Sequence, residues 1–335
     1  MGVVALRVRG VRRAPARRLR GGRGVSAEAS SPPSATIAAV LSAFNPPEGF
    51  DVRVRHLASL FQHVVVVDDG SDSVAPDRFA DEPRILVIAL PENRGIAHAL
   101  NVGIERALQE GADHVVTLDQ DSDLDDHYLE RALEAEQAAL ATLRRVGVVV
   151  PATVGGAPAL QVQRDGRPAP FDPIQSGAMF PADVLRAVGP FREELFIDAV
   201  DSDYTLRLQR AGYELVLVDE LELDHALGEL VPIMVFGRQL RLAGRPRHVV
   251  HHSAFRTYYM VRNSIDLTRR YRGHARWHLL RWRKMGSMIL AGAVLGPDSG
   301  AQFRAIRYGV RDGFAHRLGR IRPDVLQRIR GTRAA

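Results

Sequence analysis

Residues 114–126, HVVTLDQDSDLDD, form an apolar run that ends in carboxylates at alternating positions. Residues 115–118 predict a buried strand, and Asp119, Asp121 and Asp123 follow at its carboxyl end. In open α/β sheets, ligands bind at this end of the strands. Oxygen ligands two positions apart suit Mg²⁺ or Mn²⁺, whereas an isolated D-x-D is more often a solvated turn. The choice between these two interpretations depends on the rest of the chain.

The length and composition limit the classes of protein to which the chain can belong. With 335 residues, the chain is long enough for one large α/β domain and an appendage. It has no cysteine, which excludes disulfides, zinc–thiolate sites and cysteine nucleophiles. The absence of cysteine is compatible with a reducing compartment, and we expect a cytoplasmic protein.

The formal net charge of +6 is unevenly distributed along the chain. Residues 1–34 carry eight basic residues and one acidic residue, and residues 35–235 carry 15 basic and 34 acidic residues. Residues 236–335 carry 22 basic and four acidic residues. Because the acidic central section would repel nucleic acid, the overall excess of basic residues does not indicate a nucleic-acid partner.

The sequence predicts three regions. Residues 1–35 are rich in Arg, Gly, Ser and Pro, which predicts a disordered leader. This leader lacks the apolar segment of a secretory signal, although its composition overlaps with that of an organellar transit peptide. We expect residues 36–250 to form the main domain and residues 251–330 to form a basic helical region.

The order of predicted elements favours an α/β fold that begins with a mononucleotide-binding unit. Up to residue 118 the order is strand, helix, strand, strand, helix, strand. The predicted strands are residues 36–44, 63–67, 84–90 and 115–118, and the predicted helices are residues 52–61 and 96–109.

The second half of the main domain has weaker patterns. We expect a strand that Pro151 ends and a mobile loop over the site at residues 152–173. The other predicted elements are helices at residues 128–143, 182–189 and 204–210 and strands at residues 146–150 and 214–218.

Further candidate site residues follow other predicted strands or begin a helix. Asp68 and Asp69 end the second strand, where a carboxylate can bind a nucleobase or ribose, or only shape an Asp-Gly turn. Asp201 and Asp203 lie at a helix start, as caps or as a general base. His225 follows a strand end and is a candidate metal ligand, although a lone His is more often structural.

Six motifs in this order resemble those of the family 2 inverting glycosyltransferases, in particular the bacterial rhamnosyltransferase branch. The motifs are VVVVDDGS, NRGIAHALNVGI, LDQDS, QSGAMF, FIDAVDSDYTLRLQRAGY and DHALG. The resemblance covers about residues 36–265. It implies a GT-A fold, which is a Rossmann-like mixed and mainly parallel sheet with flanking helices, here followed by a basic C-terminal helical extension.

The resemblance also implies residue roles. Donor binding is implied for Asp68, Asp69, Asn93, Arg94, Gly95 and Asp119. Metal binding is implied for Asp121, Asp119 and His225. Asp201 matches the general base, with Asp203 as its close alternative, because many members have Glu-Asp where this chain has VDSD at residues 200–203.

The implied function is metal-dependent transfer of a sugar, with Mg²⁺ or Mn²⁺ as cofactor. We expect rhamnose from dTDP-rhamnose to be moved to a cell-envelope glycan or a polyprenyl-linked acceptor. Another donor, such as UDP-galactofuranose or a UDP-hexose, is an alternative. A nucleotidyltransferase or a non-catalytic glycan-binding protein is less favoured, the former because SAFNPPEG has no Lys or Arg for a triphosphate.

The basic C-terminal region has two interpretations. Residues 256–263, RTYYMVRN, resemble the segment that follows the core in this branch. Residues 276–284 interleave Trp and Leu with basic residues, which suits an anionic membrane surface. Residues 285–296 are apolar but too short to span a bilayer, which takes about 20 residues. Peripheral membrane contact and docking on the acidic domain both explain the pattern.

Overall fold

The computed structural model describes residues 35–331, apart from residues 72–76, 143, 165, 225–228, 236–237 and 243–244. Residues 1–34 of the predicted leader lie outside the described residues, so the leader stays a prediction. The boundary predicted at residue 250 also stays a prediction.

The described residues contain strands and helices in alternation up to residue 251 and helices thereafter. The first strands are β1 (Ile37–Ala43), β2 (His63–Asp68), β3 (Ile85–Ala89), β4 (His114–Asp119), β5 (Asp123–Leu124), β6 (Val146–Val154), β7 (Ala157–Pro158), β8 (Gln161–Arg164), β9 (Arg167–Pro170), β10 (Ala178–Pro181) and β11 (Glu214–Asp224). Short strands follow: β12 (Glu229–Pro232), β13 (Met234–Val235), β14 (Arg238–Gln239), β15 (Arg241–Leu242), β16 (Arg245–Pro246) and β17 (His248–His251). The helices are α1 (Phe50–Leu60), α2 (Ile96–Gln109), α3 (Tyr128–Leu140), α4 (Ala182–Val188), α5 (Val200–Arg210), α6 (Ala254–Arg270), α7 (Ala275–Leu295), α8 (Ser299–Phe314) and α9 (Pro323–Arg330).

The central sheet is mainly parallel. Its strand order is β3-β2-β1-β4-β10-β6-β11-β5, and β7 pairs with the far part of β6. The strand β10 is antiparallel to both of its neighbours, β4 and β6, and β5 is antiparallel to β11. The predicted fold class, a mixed and mainly parallel sheet with flanking helices and a helical C-terminal extension, is confirmed.

Both faces of the sheet are covered, which explains the continuous apolar runs in its strands. In β1, Ala39 and Leu41 pack on the face that carries α1 and α3, whereas Ala38 and Val40 pack on the face that carries α2, α4 and α5. Gly103 of α2 lies against Val40, so a larger side chain there would push this helix off the sheet.

The parallel register sets the position of the first acidic residues. Ala43 of β1 pairs with Asp68, and Ser42 of β1 pairs with Asp119 on the other side. The two carboxylates therefore end strands on either side of β1, at the same edge of the sheet. This is the edge where α/β sheets bind ligands.

Two predictions for residues 146–173 are wrong. The strand β6 continues through Pro151 to Val154, and Pro151 lies opposite Val218 next to a register shift, a position where a missing amide donor is tolerated. The segment predicted as a mobile loop contains β7 and the β8–β9 hairpin. Its QVQRDGRPAP sequence has an Asp-Gly turn signal but no apolar periodicity, so periodicity alone does not predict these strands.

The helix predicted from residue 204 starts earlier. In the structure α5 begins at Val200, with Ala199 before it and no side-chain cap. Asp201 and Asp203 therefore lie in the first turn, and neither caps the helix. Their positions relative to the sheet are set by the contacts of the preceding loop.

The C-terminal helices dock on this loop through α6. Asn263 Nδ2 donates hydrogen bonds to the carbonyl oxygens of Leu195, Ile197 and Asp198, at 3.0, 2.9 and 2.8 Å. Arg262 is fully buried and also donates to Leu195 O, at 3.0 Å. Docking was one of the two predicted interpretations of the basic region. No helix among the described residues is long and apolar enough to cross a membrane.

We expect the Asn263→Ala variant to lose about 2–4 kcal/mol of free energy of unfolding, because three backbone carbonyls lose a donor together. Urea denaturation followed by circular dichroism measures this loss. Gln137→Ala, at an exposed position of α3, is the control and should change the same quantity by less than about 0.5 kcal/mol. Equal stability of the two variants would contradict the role given to Asn263.

Candidate active site

Asp68 and Asp69 are buried at the end of β2, and each holds a neighbouring loop. Asp68 accepts a hydrogen bond from Ser71 N at 3.0 Å and another from the Ser71 hydroxyl. Asp69 accepts bonds from the amides of Arg94 and Gly95, each at 2.8 Å. Burial raises the pKa of Asp69, and the two amide hydrogen bonds oppose that rise. Both carboxylates therefore have a structural role, whatever ligand contacts they also make.

The predicted donor turn lies directly beside Asp69. Gly95 has a φ of 95° and packs against the backbone of Phe196, so this position needs glycine. The Asn93 Oδ1 atom is buried and has no hydrogen-bond partner among the described residues. Arg94 is exposed, with its guanidinium 3.7 Å from the Glu193 carboxylate. The structure thus brings Asp69 and the whole turn together.

The acidic turn after β4 is held by residues from two other segments. Asp119 Oδ1 accepts a hydrogen bond from Gln175 Nε2 at 2.7 Å, and Asp119 N donates to Ser176 Oγ at 3.0 Å. On the other side, Gln120 Oε1 accepts a bond from Phe44 N at 2.7 Å. These contacts hold the turn that carries Asp121 at the sheet edge.

The predicted metal site is described only in part. Asp119 and Asp121 are both partly exposed at the sheet edge, but His225 lies outside the described residues. The described part of the chain contains no group of three or more His, Cys, Asp or Glu that could hold a metal ion. Two carboxylates on one turn nevertheless fit Mg²⁺ or Mn²⁺, since such ions use one or two carboxylates and take further oxygens from substrate phosphates.

Asp201 is a partly exposed carboxylate in the first turn of α5. Burial raises its pKa to about 7, and the nearby negative charge of Asp172 acts in the same direction. A hydrogen bond from Ser202 N, at 2.8 Å, and the positive charge of Arg281 act against the rise. A carboxyl group with a pKa near neutrality can exchange a proton at physiological pH.

A small cavity lies next to Asp201. Gln175 and Tyr204 line it together with Asp201, and several apolar side chains form the rest of the wall. Gln175 Oε1 and Tyr204 Oη are buried, and neither has a hydrogen-bond partner in the described part of the chain. The surroundings of Asp201 therefore keep free hydrogen-bonding capacity for a water or a bound hydroxyl.

Asp203 has a different environment, although it is only two residues further along the helix. It is fully buried and accepts hydrogen bonds from Arg207 Nε at 3.0 Å and from Tyr271 Oη at 2.8 Å. The guanidinium of Arg192 lies 3.6 Å from the same carboxylate. Of these partners, Tyr271 follows α6, so its hydrogen bond joins α5 to the C-terminal helices.

Arg256 of α6 connects the acidic groups at the sheet edge. It pairs with Asp198, with Arg256 Nε 3.4 Å from Asp198 Oδ2. The charge of Asp198 raises the pKa of Arg256, and Asp119 and Asp201 act in the same direction. The guanidinium of Arg256 therefore interacts electrostatically with carboxylates from β4, from α5 and from the loop before α5.

The sequence patterns do not assign a site role to several residues that lie near this edge of the sheet. Gln175 and Ser176 belong to the QSGAMF motif, and Arg256 belongs to RTYYMVRN, so the motifs themselves were the available signal. Asp172 had no such signal, because it lies in the segment predicted as a loop. It forms an ion pair with Arg281 of α7 at 3.1 Å.

Comparison with known proteins gives two sequence matches. Residues 39–149 match the family model described as glycosyl transferase family 2. The chain is 28% identical over 254 residues to dTDP-rhamnosyl transferase RfbF of Shigella flexneri, covering 71% of this chain and 81% of that protein.

Solved structures show lower similarity. A Staphylococcus aureus TarS 1–349 structure in complex with UDP-GlcNAc is 15% identical, with a TM-score of 0.46 over 90% of this chain and 93% of that chain. Another S. aureus TarS structure is 15% identical with a TM-score of 0.45, covering 70% of this chain, and the present chain spans only 40% of its length.

The sequence matches confirm the family predicted from the six motifs, and they confirm that the protein is an enzyme. Residues 39–149 match the family 2 glycosyltransferases, and the chain is similar to a member of their rhamnosyltransferase branch.

Proposed function

We propose that this enzyme transfers rhamnose from dTDP-rhamnose, with inversion, to a cell-envelope glycan or a polyprenyl-linked acceptor. The observation that carries the proposal is the environment of Asp201. This partly exposed carboxylate has a pKa raised to about 7, and its charge and that of Asp119 both raise the pKa of Arg256. The rhamnosyl donor is proposed because the matched relative from S. flexneri is named a dTDP-rhamnosyl transferase.

Asp201 is proposed as the general base. In its ionised form, the carboxylate takes the proton of the acceptor hydroxyl while that oxygen attacks the anomeric carbon of the sugar. The bond from this carbon to the nucleoside diphosphate breaks on the opposite side, which inverts the anomeric centre. The buried atoms Gln175 Oε1 and Tyr204 Oη line the small cavity beside Asp201 and leave hydrogen-bonding capacity for a water there.

Asp203 is not proposed as the base. Its carboxylate already accepts bonds from Arg207 and Tyr271, and it is fully buried. A base must reach the substrate and must release its partners to take a proton. We propose that Asp203 positions α5.

The donor is proposed to bind between the Asn93–Gly95 turn and the Asp119 turn. Asp121, Asp119 and His225 are proposed to hold Mg²⁺ or Mn²⁺ together with the diphosphate of the donor. Bound there, the metal would neutralise negative charge on the departing nucleoside diphosphate. Asp68 and Asp69 would contribute to the base and ribose pocket, mainly through the loops that they hold.

The family match argues against two predicted alternatives, a nucleotidyltransferase and a non-catalytic glycan-binding protein. The other donors, UDP-galactofuranose and UDP-hexoses, remain the alternative within the family. Peripheral contact with the inner face of the cell membrane is proposed for the C-terminal region.

The proposed reaction is tested with a donor panel. We expect release of dTDP from dTDP-rhamnose, with transfer when polyprenyl-linked acceptors are supplied, and little turnover of UDP-galactofuranose or UDP-hexoses. Chelation by EDTA should abolish transfer, and Mg²⁺ or Mn²⁺ should restore it. Preference for a UDP-sugar would overturn the donor assignment, and full activity in EDTA would overturn the metal assignment.

We expect Asp201→Asn to lower kcat by about 10²–10⁴-fold and to leave donor binding intact, because the variant loses the base but keeps its size. Asp183→Asn is a matched control, since Asp183 also lies in the first turn of a helix and accepts a bond from the next amide at 2.8 Å. Transfer assays and calorimetric titration of dTDP-rhamnose measure the two quantities. Unchanged kcat in Asp201→Asn would move the base elsewhere.

The pH profile should report the same carboxylate. We expect kcat to rise as pH increases through about 7, because Asp201 acts in its ionised form. In Asp172→Asn, the charge that raises the pKa is removed and Arg281 loses its partner, so both effects lower the pKa of Asp201. The rise in kcat should therefore shift to lower pH in this variant. A shift to higher pH would contradict the assignment.

A further inference from the structure

The outer side of α7 carries a stripe of exposed side chains at helical spacing. Its first half exposes Arg276, Leu279 and Arg283, and its second half exposes Leu290 and Val294. The relative exposures of Leu279 and Leu290 are 71% and 58%. Leu279, Leu290 and Val294 are 11 and four residues apart, so they lie on the same face of the helix as Arg276 and Arg283.

The neighbouring helix α8 carries a matching stripe. Phe303, Arg307, Val310 and Phe314 are exposed at spacings of four, three and four residues. Phe303 and Phe314 are 50% and 66% exposed. Scattered exposed apolar residues are ordinary, but a contiguous set on two adjacent helices usually marks a contact surface.

Both stripes face away from the rest of the fold. On α7, Met285 and Ile289 pack against Val261 of α6 and its neighbours. On α8, Gly309 and Gly313 lie against the backbone of α6. Each helix thus turns a side other than its stripe to α6, and Ile306 of α8 packs with Met285 and Ile289 of α7. We take the exposed stripes of these two packed helices as one surface, here called the α7–α8 face.

The charge of the α7–α8 face has one sign. Arg276, Arg283 and Arg307 are exposed on it, and Lys284 is exposed beside Arg283. None of these four residues has an ion pair with a carboxylate among the described residues. The acidic residue of these two helices is Asp312, which is buried and accepts a bond from the Tyr258 hydroxyl at 2.9 Å. The face is therefore amphipathic and cationic.

Three residues of α7 that the sequence pattern suggested for a membrane surface are not available for such a contact in the structure. Trp282 donates a hydrogen bond to Thr268 at 2.9 Å, and Trp277 packs on Phe171. Arg281 is buried in its ion pair with Asp172. These three residues gave the sequence pattern its interleaved aromatic and cationic character, but they face inward. The outward residues of this segment are Arg276, Leu279 and Arg283, and the others come from further along α7 and from α8.

We infer that the α7–α8 face binds an anionic lipid bilayer, with Leu279, Leu290, Val294, Phe303, Val310 and Phe314 inserted among the head groups and the four cations at the lipid phosphates. The inference deepens the proposed function, on which it rests for the polyprenyl-linked acceptor. Interfacial helices bind in this way when apolar contact and attraction to anionic lipids act together. A second copy of the chain fits less well, because pairing two such faces would place like charges against each other.

Vesicle co-sedimentation of the full chain tests the inference. We expect binding to vesicles of equal parts phosphatidylglycerol and phosphatidylcholine, weaker binding to pure phosphatidylcholine, and weakening by salt. The variant Arg283→Glu/Lys284→Glu/Arg307→Glu and the variant Phe303→Ser/Phe314→Ser should each lower binding at least about tenfold. Circular dichroism checks that both variants fold.

Matched controls come from exposed positions elsewhere. Val52→Ser/Leu140→Ser removes exposed apolar side chains from α1 and α3, and Arg186→Glu reverses an exposed charge on α4. These variants should bind vesicles as the unmodified protein does. If every variant bound equally, the Arg-rich residues 1–34 would account for the binding and the inference would be overturned. Self-association through the face in the absence of lipid, seen by light scattering, would also overturn it.

The binding assay contains no donor and no acceptor, so it is independent of the proposed reaction. Vesicle binding by a protein that shows no sugar transfer would refute the proposed function and leave the α7–α8 face assigned. Normal donor hydrolysis with no preference for anionic vesicles would refute the face and leave the proposed function in place.

Discussion

Parallel pairing of β1 with β2 and β4 is the constraint on which the rest of the site depends. Because both neighbours run in the same direction as β1, their carboxyl ends meet at one edge, and Asp68 and Asp119 lie on either side of Ala43 and Ser42. A slip of one residue in either pairing would turn each side chain to the other face of the sheet. The alternating burial of β1 in two separate cores opposes such a slip. The packing of the sheet therefore sets the geometry of the acidic edge.

The contrast between Asp201 and Asp203 shows how environment separates two identical groups. Both lie in the first turn of α5, where the helix N-terminus favours negative charge. Asp203 is surrounded by cationic and hydroxyl donors, whereas Asp201 has one amide bond and a second carboxylate near it. The Asp203 carboxylate is held by its partners within the fold, whereas the pKa of Asp201 is raised to about 7.

Sequence patterns predicted the local elements well and the tertiary contacts poorly. The helix at residues 96–109 was predicted with its observed bounds, because its apolar spacing and its flanking glycines are local signals. The order of the motifs predicted the family and the acidic residues at the edge of the sheet. The distinction between Asp201 and Asp203 could not be predicted, because the partner Tyr271 is 68 residues away. Likewise the sequence pattern suggested that Trp277 and Arg281 are surface residues. In the fold, Trp277 packs on Phe171 and Arg281 forms an ion pair with Asp172, both more than 100 residues earlier in the chain.

The three hydrogen bonds from Asn263 to the loop before α5 also constrain the order in which the enzyme matures. They join residues that are 65 to 68 positions apart, whereas the β1–β2 pairing joins residues about 25 apart. A chain emerging from the ribosome can form the first parallel strands well before it can fix the loop that precedes α5. The sheet edge that carries Asp68 and Asp119 can thus form during synthesis, whereas the position of Asp201 depends on α6. Premature termination before α6 would leave a partly folded sheet without a positioned Asp201.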